Sequence, residues 1–132
     1  MSDDAKKKVL VVDDDYDFRM QMRMQLESAG YEVIEAGGEA EARKLLETLR
    51  PDLAFIDLMM EHSDAGFALG HHIKRKDPTI PVVLVSAVTS ETGITFDAAT
   101  SEERSWVKAD AMLAKPVRFE QLKREMDRLL KG

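Results

Sequence analysis

The chain has 132 residues, 44% of them hydrophobic and 33% charged, with 19 basic and 25 acidic side chains and a formal net charge of −6. That composition is globular and excludes disorder as the main state, while the acidic balance argues against a nucleic-acid backbone or an anionic membrane surface as partner. The absence of cysteine excludes disulfides and thiolate zinc sites.

The N-terminus is polar, and Lys6-Lys7-Lys8 precedes only the aliphatic run Val9 to Val12. That run is too short for a signal-peptide core or a membrane span, so a cytoplasmic protein with no membrane partner is expected. The same run is continuous and β-branched, as in a strand covered on both faces. An acidic cluster follows, then Phe18, Met22, Leu26 and Ala29 at helical spacing, stopped by Gly30. Met20 and Met24 on this helix are expected to fill gaps in the core.

Tyr31 to Glu35 reads as a short strand, and Gly37-Gly38 as the turn that leaves it. Ala42, Leu45, Leu46 and Leu49 form one buried helical stripe that Pro51 ends. Leu53 to Ile56 is a second buried strand, running into Asp57. Leu69, Ile73 and Phe67 carry the next helix, and Ile80 to Val85 the fourth strand. Residues 88–100 read as loop and 101–108 as a short helix, in which Trp106 is expected to pack. Met112 to Ala114 is a last strand, and Phe119, Leu122, Met126, Leu129 and Leu130 mark a closing amphipathic helix. Strand and helix thus alternate five times, which predicts right-handed crossovers and a parallel sheet between two helical layers.

Ligands of such sheets bind beyond the carboxyl ends of the strands. There the sequence places Asp13 and Asp14 after the first strand, Asp57 after the third, Ser86 after the fourth and Lys115 after the fifth. Neighbouring carboxylates repel unless a cation lies between them, and oxygen donors suit Mg²⁺. A carboxylate beside the metal can attack phosphorus and form an acyl phosphate. Lys115 would neutralise charge on the phosphoryl oxygens and Ser86 would donate a hydrogen bond to one.

The segments Val11-Val12-Asp13-Asp14-Asp15, Pro51 to Met60, Val85-Ser86-Ala87 and Ala114-Lys115-Pro116 together resemble the four signatures of response-regulator receiver domains. The resemblance runs from Val9 to Leu130. It implies an α/β flavodoxin-like fold with a five-stranded parallel sheet in the order 2-1-3-4-5 and five flanking helices. One domain over residues 1–132 is expected, with a core at about 8–131 and no output domain. The resemblance further implies Asp57 as phosphoacceptor, with Mg²⁺ held by Asp14, Asp57, the Met59 carbonyl and, through water, Asp13. A histidine kinase or phosphotransfer protein would be the donor. Output would run through binding of a downstream protein by a monomer or weak homodimer, making the chain a switch rather than an enzyme.

Several positions depart from the family pattern. Glu61 stands where proline is usual, one residue is added between Glu61 and Gly66, and Met112 replaces the usual aromatic switch residue. The stretch from Thr89 to Ala99 is longer than usual. The resemblance implies that the side chains two beyond Asp57 and two beyond Ser86 tune attack by water; here they are Met59 and Val88, apolar and unable to orient one, so a long-lived aspartyl phosphate is expected.

Other readings of these residues are weaker. Acidic clusters are usually solvated surface, but this one follows a buried strand and faces Asp57 and Lys115 at matching ends. Asp13, Asp15 and Asp17 have the alternate spacing of a calcium loop, which fails at Phe18 and Met24 where glycine and glutamate are needed. A haloacid-dehalogenase-type phosphohydrolase would use Asp13 as nucleophile and Asp15 as acid, but leaves Asp57 unexplained. A receiver-like module that binds constitutively, without phosphorylation, is the remaining alternative. His62, His71 and His72 are expected on solvated or helix faces, with no metal.

Overall fold

A computed structural model describes residues 7–57, 65–87, 110–115 and 117–130. In chain order the described elements are β1 (Lys8–Val12), α1 (Tyr16–Ser28), β2 (Glu32–Ala36), α2 (Glu39–Leu46) and β3 (Leu53–Asp57). They continue with α3 (Ala65–Lys76), β4 (Val82–Ala87), β5 (Ala111–Lys115) and α4 (Phe119–Leu130). All strand pairings are parallel, and the order across the sheet is β2-β1-β3-β4-β5.

The apolar strand runs are explained by burial on both faces. Alternate residues of one strand enter opposite layers. Leu10, Val12, Ala54, Ile56, Val82 and Leu84 pack against Ala42 and Leu46 of α2 and Leu69 and Ile73 of α3. Val9, Val11, Leu53, Phe55, Val83 and Val85 pack against Met22 and Leu26 of α1 and Leu122 and Met126 of α4. Each large side chain buried this way contributes about 1.5–3 kcal/mol relative to exposure.

The helix ends follow local chemistry. Gly30, at φ 99°, donates from its N–H to the Glu27 carbonyl at 3.1 Å, and Tyr31 N–H donates to the Leu26 carbonyl at 3.0 Å. This pair of bonds closes α1 and needs a residue that tolerates the left-handed region. In α2 the regular helix ends at Leu46, three residues before Leu49, the last of the expected stripe. Tight bonds from Glu47 N–H to the Lys44 carbonyl and from Thr48 N–H to the Leu45 carbonyl, each 3.2 Å, take over there.

One expectation is corrected and one boundary is refined. Met20 and Met24 are not core residues: they are 40% and 64% exposed, on the outer side of α1, while Met22 and Leu26 take the buried positions. A 100° step per residue puts Met20 and Met24 on one face and Met22 and Leu26 on the opposite one. The fourth strand, expected from Ile80 with an early interruption at Pro81, begins at Val82, just past the proline that has no N–H to give to the ladder. The expected loop at 88–100, the helix at 101–108 with Trp106, and Glu61 with its added neighbour lie outside the described residues.

Candidate phosphoacceptor site

The acidic run after β1 divides its labour. Asp15 caps α1: its Oδ1 accepts from Asp17 N–H at 3.0 Å and Phe18 N–H at 3.4 Å. Asp17 lies in the first helical turn, where a negative charge complements the helix dipole. Asp13 and Asp14 are left for the site.

Asp13 is fully buried and tightly placed. Its N–H donates to the Ala36 carbonyl at 3.1 Å, and its Oδ1 accepts from Asp15 N–H at 2.8 Å. Asp57 is the last residue of β3, in register with Val85 of β4, and is 3% exposed. It has the same strand parity as Leu53 and Phe55, which places it on the α1–α4 side of the sheet. Asp14 is exposed at the mouth.

One ligand oxygen from each of Asp13, Asp14 and Asp57 lies within 4.8 Å of the others. Two of these three carboxylates are buried, and like charges so placed repel unless a cation or a proton intervenes. An all-oxygen donor set with one open, exposed member suits a hard cation that keeps some of its water, which is the behaviour of Mg²⁺. The residues present fit that ion.

The expected partners are partly placed. Ser86 and Lys115 occupy the carboxyl ends of β4 and β5, where Ser86 pairs with Ala114 and Lys115 with Ala87. Their side chains, like that of Met112, lie outside the described part, as does Met59 altogether. Among the described residues, the cluster of potential metal ligands does not include His71 or His72, which line a cleft between α2 and α3 with Arg43, Arg75 and Lys76.

Sequence reasoning missed Arg19. Its Nη1 donates to the Asp13 carbonyl oxygen at 2.7 Å and its Nε to Glu35 Oε1 at 3.0 Å. Glu35 Oε2 also accepts from Arg23 Nη1, one turn further along α1. No local pattern singled it out, because β2 carries two glutamates, Glu32 and Glu35, and only the packing of α1 selects the second as partner.

The geometry agrees with what similar proteins show. The model of the response regulator receiver domain family matches residues 9–127. A probable transcriptional regulator ycf27 of Cyanophora paradoxa is 32% identical over 126 residues, covering 96% of this chain and 49% of that protein. The chain thus spans about half the length, or less, of the curated relatives it matches. Among solved structures, the chemotaxis protein CheY4 of Vibrio cholerae is similar with a TM-score of 0.77 at 26% identity, over 95% of this chain and 99% of that one. The response regulator TrrA of Thermotoga maritima, solved in complex with Mg(2+)-BeF, gives a TM-score of 0.76 at 28% identity over 93% and 98%. The expectation of no nucleic-acid partner finds no support here, since relatives such as ycf27 are named as transcriptional regulators. No helix among the described residues is long and apolar enough to cross a membrane. The sheet order, the acidic cluster at its carboxyl edge and the family match together make this chain a member of the response regulator receiver domain family, a signalling domain of two-component systems with the flavodoxin-like α/β fold.

Proposed function

We propose that the chain is a phosphorylation-dependent switch that accepts a phosphoryl group on Asp57. The observation that carries this reading is the convergence of the Asp13, Asp14 and Asp57 carboxylates within 4.8 Å from two separate strand ends. An Asp57 oxygen attacks the donor phosphorus, a P–O bond to Asp57 forms, and the bond to the donor's leaving group breaks. Asp14, Asp57 and the Met59 carbonyl would hold Mg²⁺, with Asp13 acting through water. Bound there, the ion neutralises the acidic cluster and the charge on the phosphoryl oxygens. Lys115 supplies a second positive charge and Ser86 a hydrogen bond to those oxygens.

The donor is a histidine kinase or phosphotransfer protein, and the cell compartment is the cytoplasm. The exposed row Tyr16, Met20 and Met24, at i, i+4 and i+8 on α1, begins two residues beyond Asp14 and supplies apolar area for that encounter. Output passes through a downstream protein that distinguishes the two states of Asp57.

Beryllofluoride with Mg²⁺ tests this reading, because it forms a tetrahedral phosphoryl mimic on a carboxylate. Amide resonances around residues 13–15 and 57 are expected to move in the wild type and to stay in place in Asp57→Asn. An unchanged wild-type spectrum would refute the reading.

A further inference from the structure

We propose that Arg19 is a positioning residue for the acidic site, holding the Asp13 end of the β1–α1 loop where cation binding requires it, with Glu35 as its anchor. The inference rests on the phosphoacceptor reading above.

The two backbone polar groups of Asp13 are both tied to the end of β2. Its N–H reaches the Ala36 carbonyl directly at 3.1 Å. Its carbonyl oxygen reaches Glu35 indirectly, through an Arg19 guanidinium that donates to that oxygen at 2.7 Å and to Glu35 Oε1 at 3.0 Å. A guanidinium is planar and donates in fixed directions, so bonding both groups fixes their separation. A lysine ammonium, a point charge on a flexible stem, imposes no such spacing.

The Arg19 and Glu35 side chains are only 17% and 19% exposed, so little water competes for the pair. Tyr16 covers the guanidinium, with its ring centroid 5.5 Å from Arg19 Cζ. Arg23 holds the second Glu35 oxygen and is itself bonded to Glu27 Oε2 at 3.0 Å, which fixes the anchor. With Asp13's backbone pinned and its Oδ1 held by Asp15 N–H at 2.8 Å, the carboxylate is set before a cation arrives. Glu35 offsets the charge of Arg19, so its influence on a nearby cation is through geometry more than through its field. Groups that orient metal ligands in this way change metal affinity about tenfold or more when removed.

The test is calorimetric titration of the full chain with Mg²⁺, alongside metal-free amide spectra and thermal unfolding. Arg19→Ala is expected to bind Mg²⁺ about tenfold more weakly than wild type and to shift the Asp13 and Asp15 amides before metal is added. Arg19→Lys keeps the charge and is expected to recover only part of the affinity. It also supplies the comparison should Arg19→Ala fail to fold. Adding Glu35→Ala to Arg19→Ala is expected to cost little more, because the two residues act as one unit. A folded Arg19→Ala with wild-type affinity, or a loss that merely tracks the unfolded fraction, overturns the proposal alone. A wild type that binds no Mg²⁺ overturns the phosphoacceptor reading and this inference with it.

Discussion

Lys74 Nζ donates to Asp110 Oδ2 at 2.7 Å, and that bond ties the last turn of α3 to the residue just before β5. The same oxygen accepts the Val82 N–H at 2.8 Å, at the first residue of β4. One carboxylate thus joins a helix and two strands at the edge of the sheet opposite the phosphoacceptor. The Lys74 side chain is only 12% exposed, so the pair is better shielded than an ordinary surface ion pair. Asp110→Ala is expected to cost about 1–2 kcal/mol in chemical denaturation. Asp110→Asn keeps an acceptor for Val82 N–H and is expected to cost less than about 1 kcal/mol.

Asp15 belongs to the helix rather than to the chemistry. Asp15→Ala removes the acceptor for two N–H groups of α1 and is expected to lower stability by about 1 kcal/mol. Phosphoryl uptake should persist in that variant. Loss of uptake in a folded Asp15→Ala would instead favour a phosphohydrolase-like role for Asp15 as an acid.

Among the described residues, two groups are shifted in ways that make stability depend on pH on the acid side. Asp77 is pulled down to about 2, first by the Thr79 hydroxyl, then by the Thr79 N–H and by Arg50. Its folded value lies below its unfolded one, so its contribution is present above the ordinary carboxylate range and is lost as pH falls towards about 2. His72 is lowered by burial first, then by the neighbouring Arg43, Lys76 and Arg75, with Glu39 opposing. The unfolded state therefore takes up this proton more readily, and a penalty to folding grows as pH falls through the ordinary histidine value. NMR titration should find both directions. Thr79→Ala should move Asp77 upward, and His72→Gln should remove the penalty in mildly acidic solution.

The exposed α1 row separates binding from stability. Met24→Lys changes a 64% exposed side chain and is expected to alter stability by no more than about 0.5 kcal/mol. Transfer from a protein donor should slow, while uptake from acetyl phosphate should not. Equal slowing with both donors would count against docking on this face.

The strands and the acidic cluster were legible because parallel strands buried on both faces leave continuous apolar runs, as in Val9 to Val12 and Leu53 to Ile56. Each such run also ends at a residue placed at the carboxyl edge of the sheet, so Asp13 and Asp57 could be paired before any coordinates. Met20 and Met24 were misplaced by residue type: the helical spacing that marks Met22 and Leu26 as buried already puts the other two on the opposite face, where they are exposed. The end of α2 was misjudged because Pro51 marks only the last place a helix can stop, whereas the chain tightens at Glu47. Arg19 was invisible for a different reason. Its partners Asp13 and Glu35 lie on separate elements, and only the packing of α1 across β1 and β2 brings them within reach.

The most direct test of the central claim is the intact mass of the protein after incubation with acetyl phosphate, with and without Mg²⁺, for wild type and Asp57→Asn. The account predicts a Mg²⁺-dependent gain of a single phosphoryl group on wild type and none on Asp57→Asn. A gain that survives in Asp57→Asn, or no gain on wild type under any of these conditions, would contradict it.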